Sequence, residues 1–395
     1  MSESPKVVVI GGGIGGLTAG LALAQRGLDV QVYEQASAIG EIGAGVTLSP
    51  NALKAYRGMG LQDAIEGIGF ESEFQVVRAW DTGEEVSRVN RKGYEQVYGA
   101  PYLSFHRADL VEVLANSLPA GALRLGTRCT SVETVGDKAI ARFEDGREVE
   151  ADLIIGADGI RSAVRQSLFG ADSPRFTGTA CWRGLVPYDA FAPGEFDTNW
   201  HLYVGENKHV IYYMVRQGDI VNFVAHVDTD EWTGESWTQE SDPREILDAF
   251  EGWHAPLYSL LTKADKFYKW ALFDRDPLDS WTKGRVTLLG DAAHAMPPFI
   301  GQGGGMSIED AYVLAAAIAR TPADIPTALE LYELLRIDRA NSMVHKARAA
   351  RDQYHGKSEL EAGAAKADDA TGLNHHAIYD YDVRKVADFS SATAV

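Results

Sequence analysis

The stretch from Lys6 to Glu34 admits few folds. Lys6–Ile10 is a β-branched run that reads as a buried strand, and Gly11-x-Gly13-x-x-Gly16 follows it directly. Apolar residues at Leu17, Leu21 and Ala24 then recur at helical spacing until Gly27 stops them, and Val30–Glu34 is a second strand. Strand, helix and strand within about 30 residues make a βαβ unit, which calls for a parallel sheet and a right-handed crossover. Gly11 permits the tight turn, Gly13 lets a pyrophosphate come close, and Gly16 lets the helix pack on the strand. Glu34 lies 18 residues beyond Gly16, where its carboxylate can accept hydrogen bonds from a ribose. A tight turn that binds nothing is the bland alternative, and the full context favours a nucleotide. The motif alone does not separate NAD from FAD.

Two further glycine turns follow apolar strands. Leu153–Ile155 runs into Gly156-Ala157-Asp158-Gly159, where Asp158 either belongs to a ligand turn or caps a helix starting near Arg161–Ser162. Leu288–Asp310 joins a strand end to Gly290-Asp291, a proline corner (Pro297, Pro298), a glycine cluster (Gly301, Gly303, Gly304, Gly305) and a helix start. Glycine lets backbone approach a ligand, and a helix N-terminus offers unpaired N–H groups with partial positive charge. Such a loop suits an anionic or polar ring edge. His294 reads as a loop-stabilising side chain rather than a catalytic one.

Between the second and third turns the pattern changes. Thr179–Pro187, Trp200–Val204, His209–Val215 and Ile220–Val227 read as antiparallel strands, Pro243–Leu261 as helical, and Met306–Ala319 and Ala328–Ala350 as long helices. At 395 residues the chain exceeds one ordinary domain. The expected architecture is mixed α/β. A Rossmann-like nucleotide domain (1–75, 100–175 and 275–350, with C-terminal helices) is interrupted by an antiparallel-sheet substrate domain (76–99 and 176–274). In the tail, 351–395, the Ala/Asp-rich start is expected to be mobile and the aromatic end (Tyr379, Tyr381) to dock.

A net charge of -19 argues against nucleic acid and anionic membrane surfaces, and obliges a site for an anionic substrate to carry local positive charge. Two cysteines, Cys129 and Cys181, make neither a metal cluster nor a disulfide framework, so no metal is expected and a reducing cytoplasm fits. No apolar run reaches about 18 residues, and no signal peptide is evident.

The three glycine motifs, in this order and spacing, resemble the FAD-dependent aromatic hydroxylases of the para-hydroxybenzoate hydroxylase fold over about residues 5–350. Also similar are Gly43-Ala44-Gly45 with Ser49-Pro50-Asn51, His106-Arg107-Ala108-Asp109-Leu110, Trp182-Arg183-Gly184, and Tyr332-Glu333 with Arg336 and Arg339. The resemblance implies FAD held by Gly11, Gly13, Gly15, Gly16, Glu34, Arg107, Asp158, Asp291, Gly301, Gly303 and Gly304, with Pro298 beside the flavin ring. It implies O2 and a nicotinamide co-substrate, NADH ahead of NADPH, with Asp158 in the motif associated with both cofactors. A flavin hydroperoxide would then oxygenate a small hydroxylated aromatic acid. Salicylate, giving catechol and CO2, is the first choice; 3-hydroxybenzoate, a hydroxypyridine acid and a non-catalytic FAD-binding role are the alternatives. A monomer or homodimer is expected.

Oxygen transfer to a phenol needs a base near the phenol and a cavity that excludes water. His209 and Tyr213 lie at i and i+4 on one strand, hence on one face, with Cα atoms roughly 13 Å apart. A similar pair occurs in the 3-hydroxybenzoate and 6-hydroxynicotinate enzymes. His209 is read as base or phenol partner and Tyr213 as a pocket hydroxyl, against a strand-end histidine with a core tyrosine. Arg183 is either a carboxylate clamp or a surface ion pair. Trp182, Trp200, Tyr212 and Met214 read as core or interface. Two departures stand out: Gly303-Gly304-Gly305-Met306 where many relatives have Gly-Ala-x-Met, which enlarges or loosens the pocket, and Thr47 where related pyridine hydroxylases have histidine.

Overall fold

The computed structural model describes residues 4–40, 44–230, 240–355 and 375–389. Its centre is a six-stranded sheet in the order Thr282–Lys283, Val286–Leu288, Leu153–Gly156, Lys6–Ile10, Asp29–Tyr33, Leu123–Arg124. Every pairing is parallel except that of the Thr282 edge strand. Val7, Val8, Val9, Leu153, Ile154 and Ile155 are fully buried, as strands covered on both faces must be. Because the strands run parallel, the three glycine turns emerge side by side at one sheet edge, although 130 or more residues separate them in the chain.

The second layer is a seven-stranded sheet ordered Tyr268–Asp274, Arg175–Pro187, Ile220–Asp228, Lys208–Val215, Trp200–Gly205, Phe74–Ala79, Glu85–Asn90. It is antiparallel except where Trp200–Gly205 runs parallel to Phe74–Ala79. One face carries Val210, Tyr212 and Met214 into an apolar core shared with Ile246, Phe250, Leu257 and Leu260. The opposite face looks toward the parallel sheet. The expected helix over Pro243–Leu261 is two helices, Pro243–Ala249 and Ala255–Thr262, parted at Phe250 to His254.

Two long helices, Gly303–Arg320 and Ile325–His355, close the parallel layer. The first corrects the sequence reading: Gly303, Gly304 and Gly305 form its opening turn rather than a loop ahead of it. Packing of its buried face outweighs glycine's poor helix propensity. Glu309 and Asp310, fully buried, meet Arg336 at 2.7 and 2.8 Å, and Arg339 meets Glu309 at 2.7 Å. Burial alone would raise both carboxyls, but the groups facing them (Arg336 and Arg339 for Glu309, the His294 ring and Arg336 for Asp310) hold them below their ordinary values.

The aromatic end of the tail docks. His375–Asp380 is a short helix, and buried Lys54 donates to the carbonyls of Tyr379, Asp380 and Tyr381 at 2.9, 3.0 and 3.3 Å, a cation at a helix C-terminus. The expected mobile start of the tail falls, from residue 356, outside the described residues. Cys129 and Cys181 are free and buried, and burial pushes both thiols up to about 12. Among the described residues no His, Cys, Asp and Glu cluster could hold a metal, and no helix is long and apolar enough to cross a membrane.

Candidate active site

The glycine turns lock into one another. A Cβ on Gly11 would lie 2.2 Å from the Ala157 carbonyl oxygen, joining the first turn to the second. A Cβ on Gly16 would lie 1.9 Å from the Gly11 oxygen, so the helix can start there only without a side chain. Ser307 fills the space between Gly15 and Gly290, where added Cβ atoms would come within 2.9 and 2.6 Å of it. Gly13, Gly303 and Gly304 behave differently. A Cβ would meet nothing within 4 Å at Gly13 and only ordinary contacts of 3.8–3.9 Å at the other two. These three are half-buried and line a groove.

Asp291 lies in the same groove. Solvent reaches it although protein surrounds its carboxyl, the mark of a recess, and this burial pushes the group above its ordinary value despite His294 and Arg107. Pro298 is exposed beside it. His294 is fully buried and bonds Asp310 at 2.6 Å, the loop-stabilising part expected of it. Asp158 accepts from the Ser162 hydroxyl at 2.5 Å and from the N–H groups of Ala163 and Val164 at 2.7 and 3.2 Å. It therefore satisfies the first N–H groups of the helix Ala163–Phe169, whose N-cap is Ser162, and burial still raises its carboxyl. Glu34 accepts from the N–H of Gly12 at 2.6 Å and of Ala36 at 2.8 Å, so it also braces the first turn. Arg107 begins the helix Arg107–Ser117 and donates its backbone N–H to Ala44 at 2.8 Å.

The antiparallel sheet supplies the other wall. By register, Arg183 faces Val224, Tyr213 faces Asn222 and His209 faces His226, which sets these side chains on one face. Tyr213 is 6% exposed, and burial drives its phenol far above the ordinary value, so it stays a donor. A Cβ on Gly45 would lie 2.6 Å from the Tyr213 hydroxyl, and the Gly45 N–H donates to Asn222 at 2.7 Å. These contacts bring the antiparallel wall onto the groove. Arg183 is half-buried over the Trp270 ring at 4.1 Å; it makes no ion pair among the described residues, which removes the surface ion-pair alternative.

His209 differs from expectation. It is fully enclosed, stacked on His226 at 4.1 Å between ring centroids and 5.7 Å from Phe299, the residue after Pro298. Tyr213, a full i to i+4 span away along the strand, reaches Gly45 instead. Trp200 is core, as expected, in an apolar cluster with Tyr213 and under the guanidinium of Arg91. Asn222 and His226 were not legible as neighbours of Tyr213 and His209, because only sheet register pairs them.

Three interlocked glycine turns at one end of a parallel sheet, beside an antiparallel sheet, define the class of a dinucleotide-binding protein with a second domain layer. The sequence profile of a family described as FAD binding domain matches residues 4–347. The 3-amino-4-hydroxybenzoate 2-monooxygenase of Streptomyces platensis is 39% identical over 90% of this chain and 89% of its own. The salicylate hydroxylase of Pseudomonas putida is 37% identical over 85% and 82%. Among solved structures, Klebsiella pneumoniae HpxO complexed with FAD and uric acid superposes with a TM-score of 0.82 at 32% identity, covering 97% of this chain and 95% of that one. The chain belongs to the FAD-binding aromatic hydroxylases.

Proposed function

We propose that this protein is a single-component flavoprotein monooxygenase that uses NAD(P)H, NADH first, and O2 to hydroxylate a hydroxylated benzoic acid. The observation that carries the substrate class is the donor pair on the antiparallel wall: a tyrosine held protonated and a guanidinium without a carboxylate partner. Neutral O–H and charged N–H donors suit an acidic phenol.

The groove suits FAD. Gly13 leaves room for the pyrophosphate, with Gly11, Gly15 and Gly16 shaping the turn. Glu34 and Asp158 keep unused lone pairs for hydroxyl donors, and Asp291 sits where a ribityl chain would pass. Pro298 would flank the ring. The opening N–H groups of the helix at Gly303 and Gly304, which have no acceptor within the helix, would meet its polar edge after Gly301. Bound there, FAD supplies the redox and oxygen-transfer chemistry. The chain's own residues do the rest. Tyr213 donates to the phenolic oxygen and Arg183 meets the substrate's negative charge, while His209, enclosed against His226 and Phe299, backs this wall.

As substrate we place 3-amino-4-hydroxybenzoate ahead of salicylate, reversing the expectation from sequence. The relative named for it is the more similar of the two and is covered over more of its length. Both share a ring, a carboxylate and a phenol.

The test is to reconstitute the protein with FAD and supply NADH or NADPH with each of 3-amino-4-hydroxybenzoate, salicylate, 3-hydroxybenzoate and 6-hydroxynicotinate. Oxygen uptake and product mass are then followed. The expected result is a hydroxylated product from one acid at a rate matching NADH oxidation. Reduced cofactor consumed only to hydrogen peroxide, with every acid, would sink the reading.

A further inference from the structure

We propose that Arg91 anchors the carboxylate of the aromatic acid, at the Tyr102–Trp200 end of the cleft. This rests on the reading above, that an aromatic acid occupies the site.

Four arginines among the described residues are almost wholly buried: Arg91, Arg165, Arg275 and Arg336. Three have acid partners. Arg165 and Arg275 meet Asp172 at 2.9 and 2.6 Å, and Arg336 meets Glu309 and Asp310. Arg91 has none. Its Nη2 donates to the Gln75 Oε1 at 2.5 Å, while Nε and Nη1 are buried without an acceptor. The Trp200 Nε1 is likewise buried without one. An ion buried without its counter-ion is costly, and a protein with 56 acidic residues has no shortage of partners to offer.

The chemistry of these groups names the complement. Arginine and tryptophan only donate. A hydroxyl or amide ligand would bring a donor to a place already crowded with donors, whereas a carboxylate brings only acceptors. The surroundings suit a carboxylate carried on a ring. The guanidinium lies 3.8 Å from the Tyr102 ring centroid and 4.7 Å from that of Trp200. Its backbone is held, the N–H donating to Glu73 at 2.8 Å.

Tyr102 joins this end to the rest of the site. Its hydroxyl donates to Thr47 at 3.1 Å, and a Cβ on Gly301 would lie 3.6 Å from it. Trp200 shares an apolar cluster with Tyr213. In the sheet, the strands of Arg183 and of Gln75, the Arg91 acceptor, lie two places either side of the Tyr213 strand, each strand about 10 Å from it. With the carboxylate at Arg91, Arg183 is left to the phenolic oxygen.

The test compares acids with their uncharged amides on the FAD-loaded enzyme. Binding of salicylate, salicylamide, 3-amino-4-hydroxybenzoate and 3-amino-4-hydroxybenzamide is titrated by the perturbation of flavin absorbance, which needs no turnover. Arg91→Met is expected to weaken the acids about 10- to 100-fold and the amides less than about threefold. Trp200→Phe, which removes one N–H and keeps the ring, is expected to weaken the acids about fivefold and spare the amides. Equal losses for acid and amide, or acid binding within about twofold of wild type, would overturn the anchor. Should Arg91→Met fail to fold or to hold FAD, the acid-to-amide ratio in Trp200→Phe decides by the same criterion. Wild-type protein that binds neither acid would sink the substrate reading itself and this proposal with it, an outcome distinct from binding that ignores Arg91.

Discussion

Tyr213 shows how a side chain acquires a role from its surroundings. An exposed tyrosine can give up its proton in alkali; here burial holds the phenol protonated well beyond that range, so across neutral pH it can only donate or accept. Tyr213→Phe is therefore expected to lower kcat/KM by about 10- to 100-fold, the worth of a hydrogen bond to a charged oxygen. The shape of the pH profile between about 6 and 9 should not change, because the residue does not titrate there. A profile that loses a limb in this variant would show that Tyr213 is the titrating base. Asp158 carries a lesson of the opposite kind. The cap reading of its sequence context holds in the geometry, and any part in cofactor binding is additional to it.

At the scale of elements, the helix Gly303–Arg320 separates two uses of glycine. Gly16 is sterically compelled, with a Cβ position 1.9 Å from the Gly11 oxygen, whereas Gly304 meets only Leu48 at 3.8 Å. Gly16→Ala is expected to cost about 3 kcal/mol and to abolish FAD retention, read by flavin content after purification. Gly304→Ala should raise the stability of the FAD-free protein by up to about 1 kcal/mol, measured as an increase in Tm. A fall in Tm would mean that the helix start is shaped differently. The glycine at 304 is thus a replaceable choice as far as the protein is concerned, and any demand for it must come from the ligand side of the groove.

For the whole molecule, the buried cluster of His294, Glu309, Asp310, Arg336 and Arg339 ties the third glycine turn to both long helices. Arg336→Met leaves two carboxylates buried against weaker compensation and is expected to cost about 3–5 kcal/mol, checked by denaturant unfolding. The same cluster predicts acid lability. Glu309 and Asp310 have folded values below the ordinary 4.5 and 3.8. Their contribution is present above those values and is lost as pH falls through the lowered ones. Stability at pH 3 should therefore recover partly in a Glu309→Gln, Arg339→Met double variant relative to its own value at pH 7. A loss between pH 7 and 3 as large as that of wild type would place the acid-sensitive groups elsewhere.

What can be read along the chain are the parts whose physics is local. Strands announced themselves by β-branched runs, and turns by glycines that a Cβ would forbid at Gly11 and Gly16. The family was readable because three such turns recur in one order. The opening turn at Gly303–Gly305 was misread because propensity is local, while packing against the rest of the helix is not. Which donors share a wall is fixed by how the strands pair. His209 and Tyr213 sit on one strand and were legible as a pair, yet the stack with His226 and Phe299 encloses one and leaves the other near the groove. Arg91, Trp200 and Asn222 come from separate strands or their ends. Arg91 meets Trp200, and Asn222 pairs with Tyr213, through register, which depends on what each strand finds to bury and not on any spacing along the chain.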